Sequence, residues 1–210
     1  EVTSNGDPLS KLSTGDQRRG PFLHVLWFAV ASFRDRALFH LGERRGHGFR
    51  SITDALAQLD GFEPFESAAS MSAVGRDASA FVSDLTATFV RVYLANAHDI
   101  PTTIALIHAV TGPSAMRPML PYISHESAAM AGRYLWQASA ALYAIVATTP
   151  GTAMATSMAF DENDLSDRAI ASGDEHAIKF TEACLRYHAL RPSPVFLAAA
   201  RNALDVLPSR

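Results

Sequence analysis

Residues 100–130 read IPTTIALIHAVTGPSAMRPMLPYISHESAAM, and this stretch decides the fold. Asp99 precedes Ile100-Pro101, the usual order for a helix start, because proline fixes a helical φ and lacks only an N–H that a first turn leaves unpaired. Ile104, Ile107, His108 and Val110 follow at helical spacing, and Thr111-Gly112-Pro113 predicts a break. A short helical piece with Ala115, Met116 and Met119 then closes at Pro121. Ser124 is a good N-cap, with Glu126 in the first turn where a carboxylate suits the helix dipole. Within so apolar a run His108 reads as buried. A buried imidazole has to be hydrogen-bonded, metal-bound or catalytic, since an unpaired polar group in a core costs roughly 1–3 kcal/mol.

Toward the carboxy terminus, Ala128, Ala131, Leu135, Ala138, Leu142, Ile145 and Val146 predict the inward face of a long helix ended by Thr148-Thr149-Pro150-Gly151. Residues 152–172 are weakly patterned, with the acidic run DENDLSD. Asp174 caps EHAIKFTEACLRYHAL, Arg191-Pro192 stops it, and a short helix follows from Pro194 to Leu204.

Toward the amino terminus, Val74, Ala78, Phe81, Val82, Leu85, Phe89, Val92 and Tyr93 make the clearest stripe, in a helix reaching Ala97. Ser51 and Asp54 form a capping pair for a short helix carrying Ala55, Leu56 and Leu59. A further helix is expected from Pro21, with Leu23, Trp27, Val30, Ala31 and Leu38 on its face, stopped by Gly42. Residues 1–20 read as a polar tail or loop, and residues 61–72, broken by Pro64, as a connection. No period-2 alternation survives. The expectation is an all-α fold, a single multi-helix domain over 21–207 of about seven or eight helices without repeats.

Composition bounds the function. The 210 residues are 48% hydrophobic and 19% charged, with a net charge of −3 and no basic tract, which argues against nucleic acid as a partner. The longest nearly apolar run, Tyr134–Ala147, is shorter than the ~20 residues a membrane span needs, so no membrane span is expected. The lone Cys184 rules out an intrachain disulfide, and a cytoplasmic location is the default reading.

The eight histidines carry the chemical information. No HExxH, repeated Glu-x-x-His, phosphate-binding glycine loop or G-x-S-x-G elbow is present. Any metal would therefore be held by histidines from different helices, with or without a carboxylate, which favours iron or another borderline metal. His176 and Lys179 share a face at i and i+3. They read as a ligand or base with a lysine beside it, or as an ordinary first turn with a solvated lysine. His47, between Gly46 and Gly48, has the backbone freedom to reach a cleft or simply to form a loop. His24 and His40 are weaker candidates. His98 and His125 read as caps or surface groups, and His188 as a helix C-terminal residue favoured by the dipole. Phe22, Trp27, Phe28, Phe33, Trp136, Tyr143 and Tyr187 could line a pocket for a flat substrate or fill the core.

IALIHAVTGPSAMRPMLPY, the Tyr134–Ala138 helix, DEHAIKFTEACLRY and the closing Pro192–Ala200 segment resemble the carboxy-terminal half of the questin oxidase-like proteins. HGFRSITDAL resembles a family segment centred on a His-Gly pair. The resemblance implies an all-helical oxygenase acting on a bulky aromatic polyketide, by Baeyer–Villiger-type oxygen insertion or carbon–carbon cleavage. It also implies NADPH as electron donor in some members, and a mononuclear iron held by histidines and a carboxylated lysine in at least one. Carried over, His108 is the histidine of the IHAVT motif and His176 that of the DEH motif. Lys179 stands for the lysine ligand and His47 for the His-Gly histidine. Where the family has a second histidine after that pair, this chain offers Asp54 as an oxygen ligand. Family members are longer at the amino terminus, so residues 21–207 correspond to the carboxy-terminal part of a longer domain. A site assembled from both halves is thus completed by a second chain or that amino-terminal region, lost, or reshaped around Asp54.

Three functional expectations follow: a His-ligated iron oxygenase, a metal-free oxygenase with two clustered histidines as bases beside an apolar cavity, and a non-catalytic helical ligand-binding or interaction domain. Convergence of His47, His108 and His176 within about 5 Å of a common point discriminates among them.

Overall fold

The computed structural model describes residues 51–60, 65, 77–147 and 161–209. The expected helix from Pro21, the 1–20 tail, the stop at 148–151 and the candidates His24, His40 and His47 lie outside the described residues, as do Phe22, Trp27, Phe28 and Phe33. Among the described residues the structure is all-α and non-repeating, with seven α-helices: α1 Ile52–Leu56, α2 Ala78–Asn96, α3 Ile100–Met116, α4 His125–Val146, α5 Glu162–Ser172, α6 Glu175–Leu190 and α7 Pro194–Val206. Short 3₁₀ turns extend α1 over Ala57–Leu59 and α3 over Arg117–Tyr122.

The polar residues before the helices set their starts. Ser51, Asp77, Asp99, Ser124, Asp161 and Asp174 each accept a first-turn backbone N–H with their side chain, a contact worth about 1 kcal/mol apiece. Asp99 takes the Thr102 N–H at 2.9 Å ahead of Pro101, as the sequence predicts. Helix α5 departs from the weak pattern read at 152–172. It starts on the Asp161 cap, ends on Gly173 at φ 65, and buries only Leu165, Ala169 and Ser172, too narrow a stripe to stand out as a period.

Helix α2 is the centre of the core. Its Val82, Leu85, Phe89, Val90, Val92 and Tyr93 are fully buried, and it packs against α3, α4 and α7. Helix α3 packs on α4 and α6, α6 on α7, α5 on both α6 and α7, and α1 on α4. The buried face of α4 matches the expected one at Ala128, Leu142 and Ile145 and differs from it in the turns between. Ala128, Gly132, Trp136, Ser139, Ala140 and Tyr143 turn inward, while Ala138 is exposed and Ala131 and Leu135 are only partly covered. The helix is rotated by about one residue because Trp136 and Tyr143, the larger apolar areas, take the core positions.

The break expected at Thr111-Gly112-Pro113 does not occur, and α3 runs through to Met116. Pro113 has no N–H for the carbonyl four residues earlier, that of Ala109. The Ser139 hydroxyl of α4 donates to that carbonyl at 3.2 Å and replaces the missing bond. Pro113 is itself buried, so the helix keeps its course past a residue that would otherwise end it. None of the described helices is long and apolar enough to cross a membrane.

Candidate functional site

Helices α3 and α6 flank a groove of about 500 Å³. Small residues line it: Gly112 and Ala115 on α3 and Ala183 on α6. His108 lies in its wall on α3, and Lys179, Glu182 and Arg186 line it on α6.

The rings of His108 and His176 meet edge to face, with centroids 5.5 Å apart and planes at 85°. Two residues on separate helices, distant in sequence, are thus brought together, at a separation that two imidazoles sharing one metal could reach. His108 is not the core histidine that its apolar run suggested. Ile107 and Ala109 on either side are buried, but His108 itself is exposed on the side of α3 that faces α6. An apolar run along a helix includes every face, so the run alone does not tell which residue points outward. The protein packed around its base still pushes the His108 pKa below the ordinary 6.5, with smaller pushes from His176 and Lys179 and an opposing pull from Glu175.

His176 stands in the first turn of α6, its side chain 20% exposed, with Nδ1 3.5 Å from Oδ1 of the Asp174 cap. Lys179 is on the surface, its Nζ paired with Glu175 at 2.6 Å. A carbamate on that nitrogen would face the Glu175 carboxylate. Asp54 is exposed on α1, its N–H donating to Ser51 Oγ, and it does not line the groove. Among the described residues no three His, Cys, Asp or Glu side chains cluster as metal ligands. Of the residues expected to hold iron, His108 and His176 lie against one another, Lys179 is paired with Glu175, Asp54 does not line the groove, and His47 lies outside the described residues.

His98 and His188 take local roles. His98 lies 3.2 Å from the Ala95 carbonyl through Nε2, and His188 Nδ1 accepts the Ser193 N–H at 3.1 Å between α6 and α7. Trp136, Tyr143 and Tyr187 are buried in the core and do not line the groove. Cys184 is buried too, and that burial pushes its thiol far above its usual range, so it is no nucleophile.

Arg186 was not foreseen. Its Nη1 donates to the Ser114 carbonyl at 3.0 Å and Nη2 to Ser114 Oγ at 2.9 Å, while Nε and Nη2 hold Glu182. It ties the end of α3 to α6 and so fixes the far end of the groove. The i, i+4 spacing of Glu182 and Arg186, repeating that of Glu175 and Lys179, was the available signal.

Compared with known family models, curated proteins and solved structures, the chain matches none.

Proposed function

We propose that the α3–α6 groove is the substrate site of an oxygenase acting on a bulky, aromatic, polyketide-like molecule, with the His108 imidazole as its base. The observation that carries this reading is the edge-to-face contact of His176 with His108, whose own side chain lines the groove. Two clustered imidazoles beside a cleft suit the metal-free route. An electron-rich phenol or enol gives its proton to an imidazole, and the resulting anion is the species that reacts with dioxygen. Burial and the neighbouring His176 and Lys179 favour the unprotonated form of His108, the form that accepts a proton. A positioned base of this kind contributes about 10²–10⁴-fold. The small residues Gly112, Ala115 and Ala183 leave room between the helices for a flat ring.

Iron and NADPH, which the resemblance to questin oxidase-like proteins implies, need a fuller set of donors than these two histidines. When bound, iron would activate oxygen or bind substrate oxygen as a Lewis acid. The described residues do not compose that centre alone, and the acid–base reading rests on what they do present.

Oxygen uptake with a hydroxyanthraquinone, measured for the whole chain and for His108→Gln, tests the proposal. The wild type is expected to consume oxygen and the variant to lose at least ~10²-fold. Equal rates in the two proteins, or no uptake by either, would overturn it. A non-catalytic ligand-binding domain is the second reading. It is favoured by the pairing of the groove cations Lys179 and Arg186 with Glu175 and Glu182, and it predicts binding of the same ring without uptake.

A further inference from the structure

The Asp174 carboxylate is more deeply buried than a helix cap requires. Its side chain is 7% exposed, whereas Asp161, which caps α5 through the same two-residue turn to Asn163 N–H, is exposed. A buried carboxylate has to be met by several donors. Oδ1 accepts the His176 N–H at 2.9 Å and the Ala177 N–H at 3.1 Å, and the Ser172 hydroxyl oxygen accepts the Asp174 N–H at 3.2 Å. The His176 ring also stands beside Oδ1, with Nδ1 at 3.5 Å.

From this geometry we infer that Asp174 is a positioning residue that holds the proton of neutral His176 on Nδ1, leaving Nε2 bare as an acceptor. The inference rests on the reading of the His108–His176 pair as the working site. A bare Nδ1 would set its lone pair 3.5 Å from a carboxylate oxygen, two negative ends near one another. A protonated Nδ1 sets a positive N–H beside that oxygen instead. The carboxylate thus selects the tautomer, as outer carboxylates do for working imidazoles elsewhere. Free histidine favours the opposite form, with the proton on Nε2, so the effect is visible as a reversal. Its consequence for the site is directional. With Nδ1 committed to Asp174, the lone pair of His176 is on the opposite side of the ring, available to a proton donor or to a metal ion.

The test is long-range ¹H–¹⁵N NMR of the His176 ring in the full chain, at a pH where the ring is neutral. In the wild type the Nδ1–H tautomer is expected to be the majority form. In Asp174→Ser, which keeps a capping oxygen but removes the carboxylate, the majority is expected to flip to Nε2–H. A wild-type ring that is mainly Nε2–H overturns the inference without any variant. So does an Asp174→Ser protein, folded by circular dichroism, whose tautomer ratio is unchanged. A purely structural cap role would not move this signal. Because oxygen uptake is not read, failure here and failure of the oxygenase reading are separable.

Discussion

Ser139 of α4 donates its hydroxyl to the Ala109 carbonyl of α3 at 3.2 Å, the carbonyl that Pro113 leaves without its helical partner. Both groups are buried, and Ser139 is 1% exposed. Ser139→Ala is therefore expected to cost about 1–3 kcal/mol in urea unfolding, the penalty of an orphaned buried acceptor. In a Pro113→Ala background the same substitution is expected to cost clearly less, because residue 113 then has an N–H for that carbonyl. Equal costs in the two backgrounds would show that Ser139 does not substitute for the missing bond.

This bond also marks the limit of what could be read in the chain. The capping residues Ser51, Asp99, Ser124 and Asp174 are local signals, since each acts on an N–H two or three residues on, and all four stand where the sequence puts them. The continuity of α3 depends on a serine thirty positions away on another helix, and no local pattern at Thr111-Gly112-Pro113 carries that information. The same holds for the site. His108 and His176 were legible as individual residues of unusual context, and their pairing follows from the packing of α3 on α6. The outward turn of His108 and the anchoring of Arg186 on Ser114 are tertiary facts, set by which faces of α3 the core claims first.

Gly112 sits inside α3 without a positive φ; among the described residues only Gly173 has one. A Cβ added there would meet Leu135 Cδ2 at 3.9 Å, an ordinary contact. Gly112→Ala is expected to stabilise the protein by about 0.5–1 kcal/mol, through the lower entropy of the unfolded chain and the better helix propensity of alanine. Thermal unfolding checks the sign. A loss of stability would mean that the close approach of α4 to α3 needs the bare glycine.

Arg186 spans Ser114 and Glu182 with a planar fork that lysine cannot reproduce. Arg186→Lys leaves the buried Ser114 hydroxyl and carbonyl short of donors and is expected to cost about 1–2 kcal/mol. Arg201→Lys is the control. Its pair with Asp205 is an exposed i, i+4 contact on α7, worth no more than about 0.5 kcal/mol. Chemical denaturation of both variants is expected to separate them clearly, and similar costs would remove Arg186 as the anchor of the groove.

The lowered His108 pKa gives the pair a pH signature. The unfolded chain takes up this proton first as pH falls below 6.5, so the contribution of His108 to stability is constant above that value and decreases below it, until the folded-state pKa is passed. Removing His176 takes away one of the charges that oppose protonation and leaves the burial, so it shifts His108 upward without returning it fully.

NMR titration of the His108 ring in the wild type and in His176→Gln reads the pairing directly. The wild-type midpoint is expected below 6.5 and is expected to rise in His176→Gln. A His108 that titrates at or above 6.5, or whose midpoint ignores the loss of His176, would contradict the claim that these two imidazoles form one site.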